Sequence, residues 1–166
     1  MLEAYLSASL KMEIDQASAQ VRIPPPLILV TCMLVGVGLH WIHPVHFIAQ
    51  GWRLSLAILF IGIGMSISLY CVRTFKRKDV DVKPWKATSR LITTGIYRLS
   101  RNPIYLSFAL VNLGIAFAAD SLWIMLMTIP FIAVMDRYVI AKEERYLEHK
   151  VRAEYRAYQA QTRRWI

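Results

Sequence analysis

The chain has 166 residues, 56% of them hydrophobic, with 20 Lys and Arg against 11 Asp and Glu and a net charge of +9; its mean hydropathy is +0.39. A soluble domain of this length scatters its charges along the sequence. Here they are withheld from four long apolar runs, which excludes an ordinary soluble domain and points to a helical membrane protein.

In chain order, Leu2, Leu6, Leu10 and Ile14 recur every four residues, as in a short helix lying on a membrane, so 1–22 reads as an N-terminal interfacial segment. Glu3, Glu13 and Asp15 interrupt any secretory-signal pattern. Pro24-Pro25-Pro26 is a rigid stretch that no helix can continue backwards, and it opens a first span at about 24–43. Further spans are expected at about 54–73, 103–119 and 121–140, the last two joined only by Asp120-Ser121 in a tight hairpin. The predicted fold class is all-α, a polytopic bundle of about four transmembrane helices forming a single domain over 1–166.

Inside the spans, Cys32 and Cys71 have no CxxC spacing and read as packing residues. Asn112, an amide in hydrocarbon, calls for an interhelical hydrogen bond. His40, His43 and His46 repeat every three residues, but Pro44 breaks the helix between them and no metal is expected.

The cations are one-sided. Nine lie between Arg73 and Arg101 and eight between Arg137 and Arg164, whereas the loop from His43 to Arg53 has one and the turn between the third and fourth spans has none. The positive-inside rule puts both basic segments, and both termini, in the cytoplasm. Most of these cations set topology and meet anionic headgroups. No nucleic-acid motif accompanies them.

Two basic segments carry more than charge. The connection from Thr74 to Asn102 is too long for a turn, and Trp85, Leu91, Ile92, Ile96, Tyr97 and Leu99 interleave its cations, so it should fold. Over 142–166, Leu147, Val151, Tyr155 and Tyr158 recur at intervals of three and four, predicting one amphipathic helix that packs over that loop. Within GIYRLSRNPIY, residues 95–105, Tyr97, Arg98, Arg101, Asn102 and Tyr105 surround a proline that starts a membrane helix, where free N–H groups favour an anion. Arg101 is a planar cation suited to a carboxylate or phosphate. The same residues also suit interfacial aromatics and snorkelling arginine. Glu143 and Glu144 follow Asp136 and Arg137 by a turn or two; they read either as ion-pair partners or as ligand groups, and spacing leaves both open.

TGIYRLSRNPIYLSF, followed after a hairpin by EERYLEHKVRAEYRAYQAQTRRW, resembles the C-terminal half of the membrane methyltransferases that include isoprenylcysteine carboxyl methyltransferase and the phospholipid methyltransferases, over about residues 73–165. RIPPPLI resembles the entry of small prokaryotic members, which implies a prokaryotic inner or plasma membrane. The resemblance implies S-adenosyl-L-methionine as cofactor, held on the cytoplasmic side at Ser89, Arg90, Leu91, Ile92, Tyr97, Asn102, Pro103, Ile104, Tyr105 and Glu143, with Arg101 suited to its carboxylate. Tyr97 or Tyr105 would steady the sulfonium charge. The carboxyl methyltransferases have RHPxY where this chain has Arg101-Asn102-Pro103-Ile104-Tyr105, and Val139 stands where they offer a substrate-binding arginine, leaving Arg137 as the nearest substitute. A carboxylate acceptor needs no base; for an amine or thiol, Glu144 or Asp136 are candidates. The expected activity is methyl transfer to a lipophilic small-molecule or lipid-like acceptor, with Arg137, Glu144 and Tyr105 as the catalytic candidates, membrane lipids around them and no obligate protein partner. Rival readings are a membrane reductase of the sterol-reductase type using NADPH, and a non-catalytic module that binds anionic lipids.

Overall fold

The computed structural model describes residues 21–78 and 91–166. The expected interfacial segment up to residue 20, and Trp85, Ser89 and Arg90, lie outside the described residues. Within them every regular element is helical. Helix α1, Pro25–Ile42, begins with proline in its first turn, where the missing N–H costs nothing. Helix α2, Gln50–Arg77, is followed by a 3-10 turn at Gly95–Arg98 and by α3, Pro103–Ala119.

Beyond α3, the helices α4 (Leu122–Leu126) and α5 (Thr128–Val134), a π-helical turn at Met135–Ile140, and α6 (Ala141–Lys150) run on as one rod. The break between α4 and α5 falls at Met127. Pro130 has no N–H to give the carbonyl four residues earlier, so the ladder is interrupted there. Helix α7, Arg152–Gln161, completes the order. Three helices, α1, α2 and the rod, are long and apolar enough to cross a membrane; α3 is shorter, with 17 residues. The chain is an all-helical membrane protein.

Helices α2 and α3 make the most extensive contact among the described elements. A Cβ on Gly64 would stand 2.8 Å from the Ser107 carbonyl oxygen, and one on Gly114 would stand 2.9 Å from the Ile61 nitrogen. Lipid tails are as apolar as leucine, so helices in a membrane associate through such backbone approach and through polar links. Ser68 and Ser107 supply one link, with their hydroxyl oxygens 2.8 Å apart. Asn112 supplies another: fully buried, its amide donates to the Ile124 carbonyl (3.1 Å) and the Thr128 hydroxyl (2.9 Å), the interhelical bond expected of it. The outer faces of α1 and α2 present Leu34, Trp41, Leu54 and Ile58, which suit hydrocarbon and its interface.

The hairpin between α3 and α4 turns on Asp120-Ser121, as its two-residue length demanded. Asp120 is left-handed (φ 48°), and the Ser121 hydroxyl caps the Ile124 N–H. The Asp120 carboxylate accepts from the amides of Phe47 (3.0 Å) and Ile48 (3.2 Å) and meets His46 Nδ1 (3.0 Å), tying the loop between α1 and α2 to the hairpin. The Phe47 amide, first, and then the Ile48 amide and His46 hold the Asp120 carboxyl below the usual carboxylate range. Among the described residues no group of three or more His, Cys, Asp or Glu could hold a metal ion.

The C-terminal segment departs from the single helix expected over 142–166. The chain bends at Val151 (φ −126°, ψ 35°), separating α6 from α7, and leaves helical geometry at Thr162. Valine is a poor helix former. Placing the bend there lets Tyr155 and Tyr158 bury against Cys71, Ile92 and Tyr97, an apolar contact that offsets the interrupted ladder.

Candidate functional site

At the end of the bundle away from Asp120, the chain enters α3 through Gly95 (φ 66°), a conformation that requires glycine; an added Cβ would also fall 2.1 Å from the Tyr70 hydroxyl, which would have to turn aside. The 3-10 turn that follows buries Tyr97 edge-on to Phe75 of α2, with ring centres 6.0 Å apart, and beside Tyr158 of α7. The Tyr158 hydroxyl donates to the Tyr97 carbonyl (2.6 Å). Asn102 occupies the N-cap of α3, and Pro103 its first turn. The Asn102 side chain does not cap; its amide reaches the Arg164 carbonyl (3.0 Å), and the Arg101 N–H reaches the Arg163 carbonyl (3.0 Å). The tail after α7 therefore runs along the start of α3.

The π turn decides where the acidic residues go. In a plain α-helix Asp136 and Glu143, seven residues apart, share a face. A π turn holds one residue more, about 100° of phase, so Asp136 lines up with Glu144 instead. Both meet Arg164, whose Nη1 donates to the two Asp136 oxygens (3.1 Å each) and whose Nε and Nη2 donate to Glu144. Glu144 also accepts from Arg101 Nη2 (2.9 Å), and Asp136 from the Trp165 indole N–H (3.1 Å). Two arginines and two carboxylates thus close without net charge. Hydrogen bonding to Glu144, above all, raises the Arg164 pKa further.

Glu143 is turned away from that cluster and accepts a hydrogen bond from the buried Tyr105 hydroxyl (2.6 Å). Tyr97 lies within electrostatic reach of both. Burial pushes the Tyr97 hydroxyl far up, and pushes Tyr158 up to about 12 against the opposing pull of the Arg101 charge. Two buried polar atoms here have no hydrogen-bond partner among the described residues, Tyr97 Oη and Arg101 Nε. The thiol of Cys71 beside Tyr97 is only a weak acceptor. Leaving such a group unpaired costs about 1–3 kcal/mol, a cost that a polar ligand would remove.

Of the residues singled out in the sequence, Tyr97, Arg101, Asn102, Tyr105, Glu143 and Glu144 come together at this end. Ile92 and Pro103 are buried beneath them, Leu91 packs against the Cys71–Tyr97 cluster, and Ile104 joins it to the apolar core around Phe131 and Met135. Arg137 stands apart; it is exposed and makes no hydrogen bond or ion pair among the described residues. A separate cavity of about 500 Å³ lies between the residue 93–98 turn and α7, lined by Thr93, Thr94, Arg98, Glu154, Tyr158 and Thr162. Sequence reasoning passed over Arg164 and Trp165. They close the second quoted motif, but no periodicity places residues beyond a helix end.

The family model described as phospholipid methyltransferase matches residues 52–153, more than half of the chain, which takes in all but the first two residues of α2, the 3-10 turn, α3, the hairpin and both Glu143 and Glu144. A stretch of 63 residues, 38% of the chain, is 40% identical to the whole of an uncharacterized protein of Haemophilus influenzae. No solved structure matches the chain significantly.

Proposed function

The chain belongs to the phospholipid methyltransferase family, a family of membrane methyltransferases acting on lipids or related substrates, and from that premise we propose that it transfers a methyl group from S-adenosyl-L-methionine to a lipophilic acceptor at the cytoplasmic face of the membrane. The observation that carries this reading is the buried Arg101 Nε, which has no hydrogen-bond partner among the described residues, beside the Tyr105–Glu143 hydrogen bond and a buried Tyr97 hydroxyl that meets only the weakly accepting Cys71 thiol. These donors and acceptors match the chemistry of the proposed ligand: a guanidinium N–H for a carboxylate, a carboxylate for ribose hydroxyls, and aromatic faces near a cation. The bundle is read as four spans, with α3 as the short one and the basic end inside.

When bound, S-adenosyl-L-methionine supplies an electrophilic methyl group for in-line displacement, chemistry that depends on alignment and exclusion of water. Arg101 binds the anionic end and Glu143, oriented by Tyr105, binds hydroxyl groups. Tyr97 and Tyr155 wall the site with Ile92, keeping it dry. Glu144 is held between two arginines, and its role in this reading is to fix Arg101. In this reading the exposed Arg137 meets an anionic headgroup at the membrane surface.

The test is calorimetric binding of S-adenosyl-L-methionine to the purified protein in detergent, alongside Glu143→Gln and Tyr105→Phe. Losing a hydrogen bond to a charged group is worth about 1.5–3 kcal/mol, so Glu143→Gln should weaken binding roughly tenfold or more. Absence of binding by the native chain, or binding of NADPH in its place, would sink the assignment.

A further inference from the structure

Residues 162–166 follow α7 without helical structure, yet both their backbone and their side chains are engaged. The carbonyls of Arg163 and Arg164 receive bonds from the Arg101 N–H and the Asn102 amide, while the Arg164 guanidinium and the Trp165 indole hold Asp136 and Glu144. This short tail pins the start of α3 to the π turn. It also redistributes charge. Glu144 facing Arg101 alone would cancel it. With Arg164 bound to Glu144 through two nitrogens and to Asp136 through a third, Arg101 spends only Nη2 on Glu144 and retains a buried Nε–H with no partner among the described residues.

We propose that Arg164 is a positioning residue: by sharing Glu144 and fixing the tail against Asn102, it keeps the charge and the Nε–H of Arg101 directed to the anionic group of a ligand, the amino-acid carboxylate of the methyl donor. This rests on the donor assigned above. Arg164 lies outside the residues matched by the family model, 52–153.

The experiment measures two dissociation constants by calorimetry in detergent. S-adenosylhomocysteine carries the amino-acid carboxylate, and 5′-methylthioadenosine lacks it. Arg164→Gln should weaken S-adenosylhomocysteine by about tenfold or more while leaving 5′-methylthioadenosine within about twofold. Arg164→Lys keeps the charge but loses the planar fork, and should recover part of the loss. Retained 5′-methylthioadenosine binding shows that the variants are folded. The proposal is overturned if Arg164→Gln leaves S-adenosylhomocysteine binding unchanged, or if it weakens both ligands equally, as a purely structural role would. Should the native protein bind neither ligand, the methyl-donor reading fails first and this inference falls with it.

Discussion

Neutralising Glu144 tests the charge cluster most directly. In Glu144→Gln the Arg101 side chain, only 12% exposed, faces an amide where it had a carboxylate, and Arg164, 37% exposed, loses its closer acid. Removing one partner of a buried ion pair costs about 3–5 kcal/mol. Gln keeps an acceptor oxygen and Arg164 can turn toward water, so about 2–3 kcal/mol is expected here. Arg164→Gln alone leaves Glu144 its bond to Arg101 and leaves Asp136, 33% exposed, free to hydrate; about 1–2 kcal/mol is expected. The double variant restores charge balance, because one positive and one negative charge leave together. It should therefore cost about 1–2 kcal/mol less than the sum of the singles. The assay is equilibrium unfolding in mixed micelles titrated with dodecyl sulfate, followed by tryptophan fluorescence. Additivity within about 0.5 kcal/mol would refute the claim that the two side chains act as one network.

Two further outcomes concern the scaffold. Gly114→Ala puts a methyl against the backbone of α2 and should destabilise by about 1–3 kcal/mol in the same assay, whereas Gly62→Ala, with nothing within 4 Å, should change stability by no more than about 0.5 kcal/mol; equal effects would disprove the close approach of α2 and α3. Asp120 has a folded pKa below its unfolded value of about 3.9, so its contribution is complete above that pH and is lost as pH falls through the folded value. Asp120→Asn should flatten the decline of stability as the pH falls below about 4, and a variant that kept the native slope would place the acid sensitivity elsewhere.

The apolar helices were legible because hydrocarbon thickness leaves a signal that needs no tertiary knowledge: uninterrupted apolar length, bounded by Pro24 and by the Asp120-Ser121 pair. The hairpin followed from its two-residue connection alone. What could not be read was where helices change phase or direction. Val151 continues the 147, 151, 155, 158 stripe without a fault, and the bend there is set by the buried position of Tyr97, which is remote in sequence. Pro130 signals a disturbance but not its form.

The acids show most plainly why a site is harder to read than a span. Asp136, Glu143 and Glu144 were recognised as a group, and α-helical spacing sorts them with 143 beside 136. One extra residue in the π turn reverses that sorting: Glu144 joins Asp136 on Arg164, and Glu143 alone meets Tyr105. Two adjacent glutamates thereby acquire opposite electrostatic surroundings, one between two cations and one against a phenol. The difference between a carboxylate held by two arginines and one held by a phenol thus rests on about 100° of helix phase: winding 135–140 as α-helix with every residue kept would exchange their partners, whereas deleting one residue from the π turn would leave Glu144 in line with Asp136.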